Sequence, residues 1–94
     1  MTAYVYILTN RSHRTLYVGV TSNLHERIYR HKTGKGSEFT QKYKVTKLVY
    51  FAEFASIADA IYFEKVIKGW RRSKKIQLIQ EKNSAWQDLY SGLP

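Results

Sequence analysis

The chain has no cysteine, a single proline and only seven acidic residues among its 94. Without thiols it can form neither a disulfide nor a cysteine-ligated zinc site, and the composition suits a reducing cytoplasm. Long apolar runs are missing too. The longest, Leu48 to Ala55, already contains Glu53, so no membrane span and no membrane partner are expected. Met1 to Asn10 lacks the basic leader of a secretory signal. The three histidines, His13, His25 and His31, show no HExxH or other metal-binding spacing, and there is neither a P-loop nor a GxSxG elbow. "GKGSEF", from Gly34 to Phe39, lacks the preceding strand and following helix that a phosphate-cradling loop needs. It reads as a mobile basic loop.

What is present outweighs these gaps in one direction. Sixteen lysines and arginines against the seven acids leave a formal net charge of +9. On so small a body this favours a polyanionic partner, nucleic acid before a membrane surface. With 44% hydrophobic and 15% aromatic residues the chain is globular, and its length allows one domain, residues 1–94.

"TAYVYILTN" alternates and is rich in tyrosine and β-branched residues, which predicts a strand over residues 3–9. The polar turn "RSHR" leads to a second strand, "TLYVGVT", as in a hairpin. Asn23 and Glu26 make a capping box for the helix "LHERIYRHKT", which Gly34 ends; a basic loop follows, "KTGKGSEFTQKYK". "VTKLVYFAEF" is nearly a continuous apolar run, so the third strand is expected to be buried on both faces. Ser56 and Asp59 cap the next helix, Ile57 to Lys68, which should stop at Gly69. "SKKIQLIQEKN" is a further short helix, and "SAWQDLYSG" adds a last helical turn or two packed by Trp86 and Leu89. The fold class is α+β, a three-stranded mainly antiparallel sheet flanked by helices in the order β-β-α-β-α-α.

Two helices place polar residues where apolar ones belong. From Ile57 to Lys68 the apolar stripe is Ile57, Ala60, Ile61, Phe63 and Ile67, and Glu64 falls in its middle. A carboxylate there is costly unless it meets a cation or donors. Spacing leaves two readings equal: an i,i+4 pair with Lys68 at the rim, or a functional carboxylate entering a cleft. In the first helix Arg27 and His31 run one turn apart beside the stripe of Leu24 and Ile28. They could be a snorkelling arginine and a capping histidine. Together with Tyr6 and Tyr17 from the hairpin, they could also form a shared polar site.

These residues resemble the GIY-YIG nuclease domain. "YVG", Tyr17 to Gly19, corresponds to the second half of that name, and "YVY", Tyr4 to Tyr6, to the first, with Tyr4 in place of the family's glycine. Arg27 and His31 match the helix after the second motif, Glu64 the metal-binding glutamate, and Asn83 a downstream asparagine. The likeness spans essentially the whole chain and is strongest to small stand-alone bacterial members, through "LVYFAEF" and "EKVIKGWRRSKKIQLI".

The resemblance implies one-metal phosphodiester hydrolysis on DNA, structured or damaged DNA included, leaving a 5′-phosphate and a 3′-hydroxyl. Glu64 would be the single protein ligand of one Mg²⁺ or Mn²⁺ ion. Arg27 would donate to the scissile phosphate, and a tyrosine, Tyr17 before Tyr6, would deprotonate the attacking water. His31 would accept or position that proton. Gly19 would let the phosphate backbone approach the strand, and Asn83 would hold substrate or the glutamate. Lys42, Tyr43 and Lys68 would contact substrate or tune the tyrosine. The alternative is a nucleic-acid-binding module that kept the fold and lost the chemistry.

Overall fold

A computed structural model describes residues 2–93. Three antiparallel strands, β1 (Ala3–Thr9), β2 (Leu16–Thr21) and β3 (Lys47–Phe54), form one sheet in the order β2-β1-β3. Helix α1 (Leu24–Lys32) follows the hairpin, α2 (Glu38–Lys42) precedes β3, and α3 (Ile57–Lys68) and α4 (Arg72–Lys82) follow it. The expected order holds, with one short helix added.

The central strand separates two cores. Ala3, Val5 and Ile7 pack with Ala60, Ile67, Ile79 and Trp86 on the side of α3 and α4. Tyr6 and Leu8 point the other way, against Leu24, Ile28, Val45 and Leu48. Burial on both faces, expected of β3, is shared with the central β1: β3 puts Leu48 in the second core and Val49 and Tyr50 in the first. At the edge, β3 buries Leu48, Val49 and Tyr50 but exposes Glu53. A register shift opposite Ile7 and Leu8 leaves Val49 as an extra residue. That bulge lets the adjacent Val49 and Tyr50 join the same core.

Both helix N-caps form. Asn23 accepts from the Glu26 amide at 3.2 Å and donates to its carboxylate at 3.2 Å, and Ser56 accepts from the Asp59 amide at 3.1 Å. Helix α3 ends at Gly69.

Two expectations are corrected. "GKGSEF" is not a structureless loop: Ser37 caps α2 and accepts from the Thr40 amide. Ile57 and Ile61 leave the apolar stripe and face solvent, because α3 turns its Ala60–Glu64–Ile67 edge inward. The last helical turn expected near the C-terminus is a 3₁₀ turn, Tyr90–Gly92, with Trp86 and Leu89 packed on the two cores. Trp86, at φ 55°, breaks any helix begun before it. Among the described residues no helix is long and apolar enough to cross a membrane.

Candidate active site

The site begins with a cross-strand pair. Tyr6 on β1 stands opposite Gly19 on β2 and is wholly buried. A Cβ on Gly19 would lie 2.4 Å from Tyr6 Cζ and 2.5 Å from its oxygen. The glycine of "YVG" is thus covered by a phenol ring from its own sheet. The space expected for a phosphate backbone is filled by Tyr6.

Helix α1 crosses this face with Leu24 and Ile28 buried beneath it. His31, one turn after Arg27, is buried; Arg27 itself is exposed on the flank rather than turned into the core. The Tyr6 hydroxyl and His31 Nε2 are 3.3 Å apart. On the other side of the ring, His31 Nδ1 is 3.1 Å from Thr40 Oγ1 of α2. Tyr17, half-buried, sets its ring against both, with centroids 6.4 Å from Tyr6 and 5.7 Å from His31.

Burial pushes the Tyr6 hydroxyl up to about 12, against the pull of the neighbouring Arg27 guanidinium; Tyr17 and Glu64 add to the rise. Burial, and then the positive charge of Arg27, lower the pKa of His31. Tyr6 is accordingly a neutral phenol and His31 a neutral imidazole at neutral pH.

A cleft of about 460 Å³ opens on this cluster. Tyr17, Arg27 and His31 line it, and Arg30 and Lys35 add positive charge to its wall. Glu64 comes from α3, which lies against β1 and β2. It is 7% exposed, and its carboxylate meets Lys68 Nζ at 2.6 Å. Of the two sequence readings of Glu64, the i,i+4 pair with Lys68 exists; Glu64 is not among the residues lining the cleft, though its charge adds to the rise at Tyr6.

The remaining candidates stand apart from the cluster. Lys42 and Tyr43 are exposed at the end of α2, where Tyr43 packs on Phe39 and Phe39 on Tyr17. Asn83 is committed to backbone: it donates to the carbonyls of Val49 and Gln87 at 3.1 and 2.8 Å and accepts from the Gln87 amide. It ties the end of α4 to β3.

Thr40, Gly36, Arg30 and Lys35 escaped the sequence reading. A Cβ on Gly36 would lie 2.4 Å from His31 Nδ1 and 2.7 Å from Thr40 Oγ1, so this glycine makes room for their contact. Ser37 with Thr40 three residues on was a capping signal for α2. Among the described residues no group of three or more His, Cys, Asp or Glu gathers to hold a metal.

The GIY-YIG catalytic domain family model matches residues 2–77. A UPF0213 protein of Clostridium perfringens is 41% identical over 80 residues, 85% of each chain. Another, from Staphylococcus haemolyticus, is 37% identical over 79 residues, covering 84% of this chain and 95% of its own length. The solution NMR structure of a UPF0213 protein from Bacillus halodurans superposes with a TM-score of 0.60 at 33% identity, covering 94% of this chain and 93% of that one.

Proposed function

Since this chain belongs to the GIY-YIG catalytic domain family, whose activity is that of a nuclease, we propose that it is a metal-dependent endonuclease hydrolysing phosphodiester bonds in DNA. The observation that carries this reading is the cationic cleft on which Arg27, His31 and Tyr17 converge. A polyanion matches both that cleft and the net charge of +9.

Arg27 is a permanent cation with a forked donor set, exposed where a phosphate can enter. It donates to the non-bridging oxygens as charge grows on them. Arg30 and Lys35 hold the flanking phosphates, and Lys42 and Tyr43 extend that path along α2. Tyr17 reaches the cleft, whereas Tyr6 has no exposed surface, so Tyr17 is the tyrosine able to meet a water. As the water oxygen bonds to phosphorus, its proton passes to the Tyr17 oxygen while the Tyr17 hydroxyl gives its own proton to a neighbouring water; the P–O3′ bond breaks and the departing O3′ takes a proton from solvent. A 5′-phosphate and a 3′-hydroxyl result.

Glu64 fits a hard divalent ion of the kind that keeps most of its waters and accepts one protein carboxylate. Its oxygen donor is buried, and its ion pair is with a lysine whose side chain is 54% exposed and free to swing away. Bound there, Mg²⁺ or Mn²⁺ would supply positive charge to the leaving oxygen.

One observation favours the second reading, a binding module without turnover: the Glu64 carboxylate is already engaged by Lys68. Supercoiled, linear and branched DNA incubated with Mg²⁺, Mn²⁺ or EDTA separates the two. Cleavage by the native protein only with a divalent ion, abolished in Glu64→Gln while binding in EDTA persists, is the expected result. Binding without cleavage under every condition would establish the module instead.

A further inference from the structure

Ser37, Thr40, His31, Tyr6 and Arg27 form one line of polar groups from α2 across α1 to the sheet. Its two ends determine where each proton lies. The Ser37 carbonyl can only accept, and the Arg27 guanidinium can only donate. Thr40 Oγ1 lies 3.0 Å from that carbonyl and gives its single proton there. It therefore accepts from His31 Nδ1 at 3.1 Å. The Ser37 hydroxyl, 3.2 Å from Thr40 Oγ1, fills the second lone pair without conflict.

A neutral imidazole with its proton on Nδ1 has a bare Nε2. That nitrogen takes the proton of the Tyr6 hydroxyl, 3.3 Å away. The Tyr6 oxygen keeps its lone pairs for the guanidinium beside it. The opposite polarity would take the Thr40 hydroxyl from the Ser37 carbonyl, leaving it the Gln41 amide alone at 3.0 Å, and turn the Tyr6 proton toward Arg27, donor against donor. Thr40 is 2% exposed, His31 5% and Tyr6 0%, so bulk water cannot repair a reversed link.

We propose that Thr40 is a positioning residue of this site: accepting from Nδ1, it holds His31 as the Nδ1–H tautomer. The Tyr6 oxygen then supports the Arg27 guanidinium that faces the cleft. Gly36 belongs to the same device, because only a residue without Cβ lets the loop pass over the His31–Thr40 contact. The proton assignment rests on the Ser37–Thr40–His31–Tyr6 distances; its consequence for cleavage rests on the nuclease reading above.

Long-range ¹⁵N–¹H spectra of histidine-labelled protein at neutral pH read the tautomer directly. In the native protein His31 should show a protonated Nδ1 and a bare Nε2. An Nε2–H tautomer or an imidazolium would overturn the proposal, whether or not the protein cuts DNA. Thr40→Val keeps the shape and removes the acceptor, so Nε2–H should gain and the cleavage rate fall roughly 10–100-fold, the range seen when a partner orienting a metal-bound histidine is removed. Thr40→Ser should restore both. A Thr40→Val protein with the native tautomer refutes the assignment. Should Thr40→Val fail to fold, the native and Thr40→Ser spectra still decide. A correct tautomer in a protein that never cleaves would sink the nuclease reading and leave the assignment standing.

Discussion

Gly19→Ala tests whether the glycine of the second motif serves the substrate or the fold. The added Cβ would sit 2.4 Å from Tyr6 Cζ and 2.9 Å from Cε2, inside the distances that carbon atoms tolerate. Relief cannot come from the ring swinging out, because Tyr6 is 0% exposed and packed among Leu8, Leu24 and Ile28. Nor can the β2 backbone retreat freely, since it is paired with β1 through the Tyr6–Gly19 register itself. Overpacking of this kind costs about 1–3 kcal/mol. In a domain of 60–100 residues each kcal/mol lowers Tm by roughly 4–8 °C, so a fall on the order of 10 °C is expected in thermal unfolding. The displaced phenol should also lose its contact with His31, visible as a shifted His31 ring signal. If the glycine instead left room for a phosphate backbone, the variant would keep its Tm and lose only DNA affinity. A Gly19→Ala protein with native Tm and an unmoved His31 signal refutes the packing argument.

Tyr17→Phe should remove most cleavage and leave DNA binding nearly unchanged, while Tyr6→Phe should cost less turnover; rates ranked the other way in a nicking assay would move the base from Tyr17 to Tyr6. DNA affinity should fall linearly with salt on logarithmic axes, and a flat response in a binding titration would point to a partner other than nucleic acid. Stability should depend on pH through His31. Its folded pKa is lowered, so below the unfolded value of about 6.5 the unfolded chain takes up a proton that the folded one resists. The His31 contribution is therefore complete above pH 6.5 and lost as pH falls through the folded pKa. His31→Gln should flatten that part of a Tm–pH curve, and an unchanged curve would contradict it. A separate loss belongs to Asp88. Burial raises its pKa, but Lys32 and the Tyr90 and Leu48 amides overcome this and hold it below 3.8, so its contribution disappears only in stronger acid.

Local chemistry was legible where a few neighbouring residues decide the outcome. Asn23 with Glu26, and Ser56 with Asp59, announced two helix starts that the structure forms. Gly69 announced an end. What could not be read depended on partners far along the chain. The burial of Tyr6 over Gly19 needs the β1–β2 register, and the edge position of β3 depends on which strand enters the centre. An apolar run such as Leu48–Tyr50 is buried twice over either in a central strand or at a bulged edge, and periodicity does not separate the cases. Helix α2 has five residues, too few to show a hydrophobic period. The exposure of Ile57 and Ile61 has the same origin, since the rotation of α3 about its axis follows from what Ala60, Glu64 and Ile67 touch.

The cost of Glu64 gives the site its coherence. With seven acids in the chain, one that is 7% exposed is expensive to keep, and an unpaired buried carboxylate would destabilise the fold by several kcal/mol. Lys68 relieves that cost from a position 54% exposed, at 2.6 Å. Under the nuclease proposal this division of burial has a use. The ammonium already reaches water, so it would leave the carboxylate only as another cation arrives, and Glu64 would stay in place on α3. A divalent ion would compete for the same oxygens, and the displaced ammonium would remain on the solvent side for an incoming phosphate. If the proposal holds, the Glu64–Lys68 pair and a metal-binding Glu64 would be two states of one carboxylate, with the pair keeping it paired while no metal is bound.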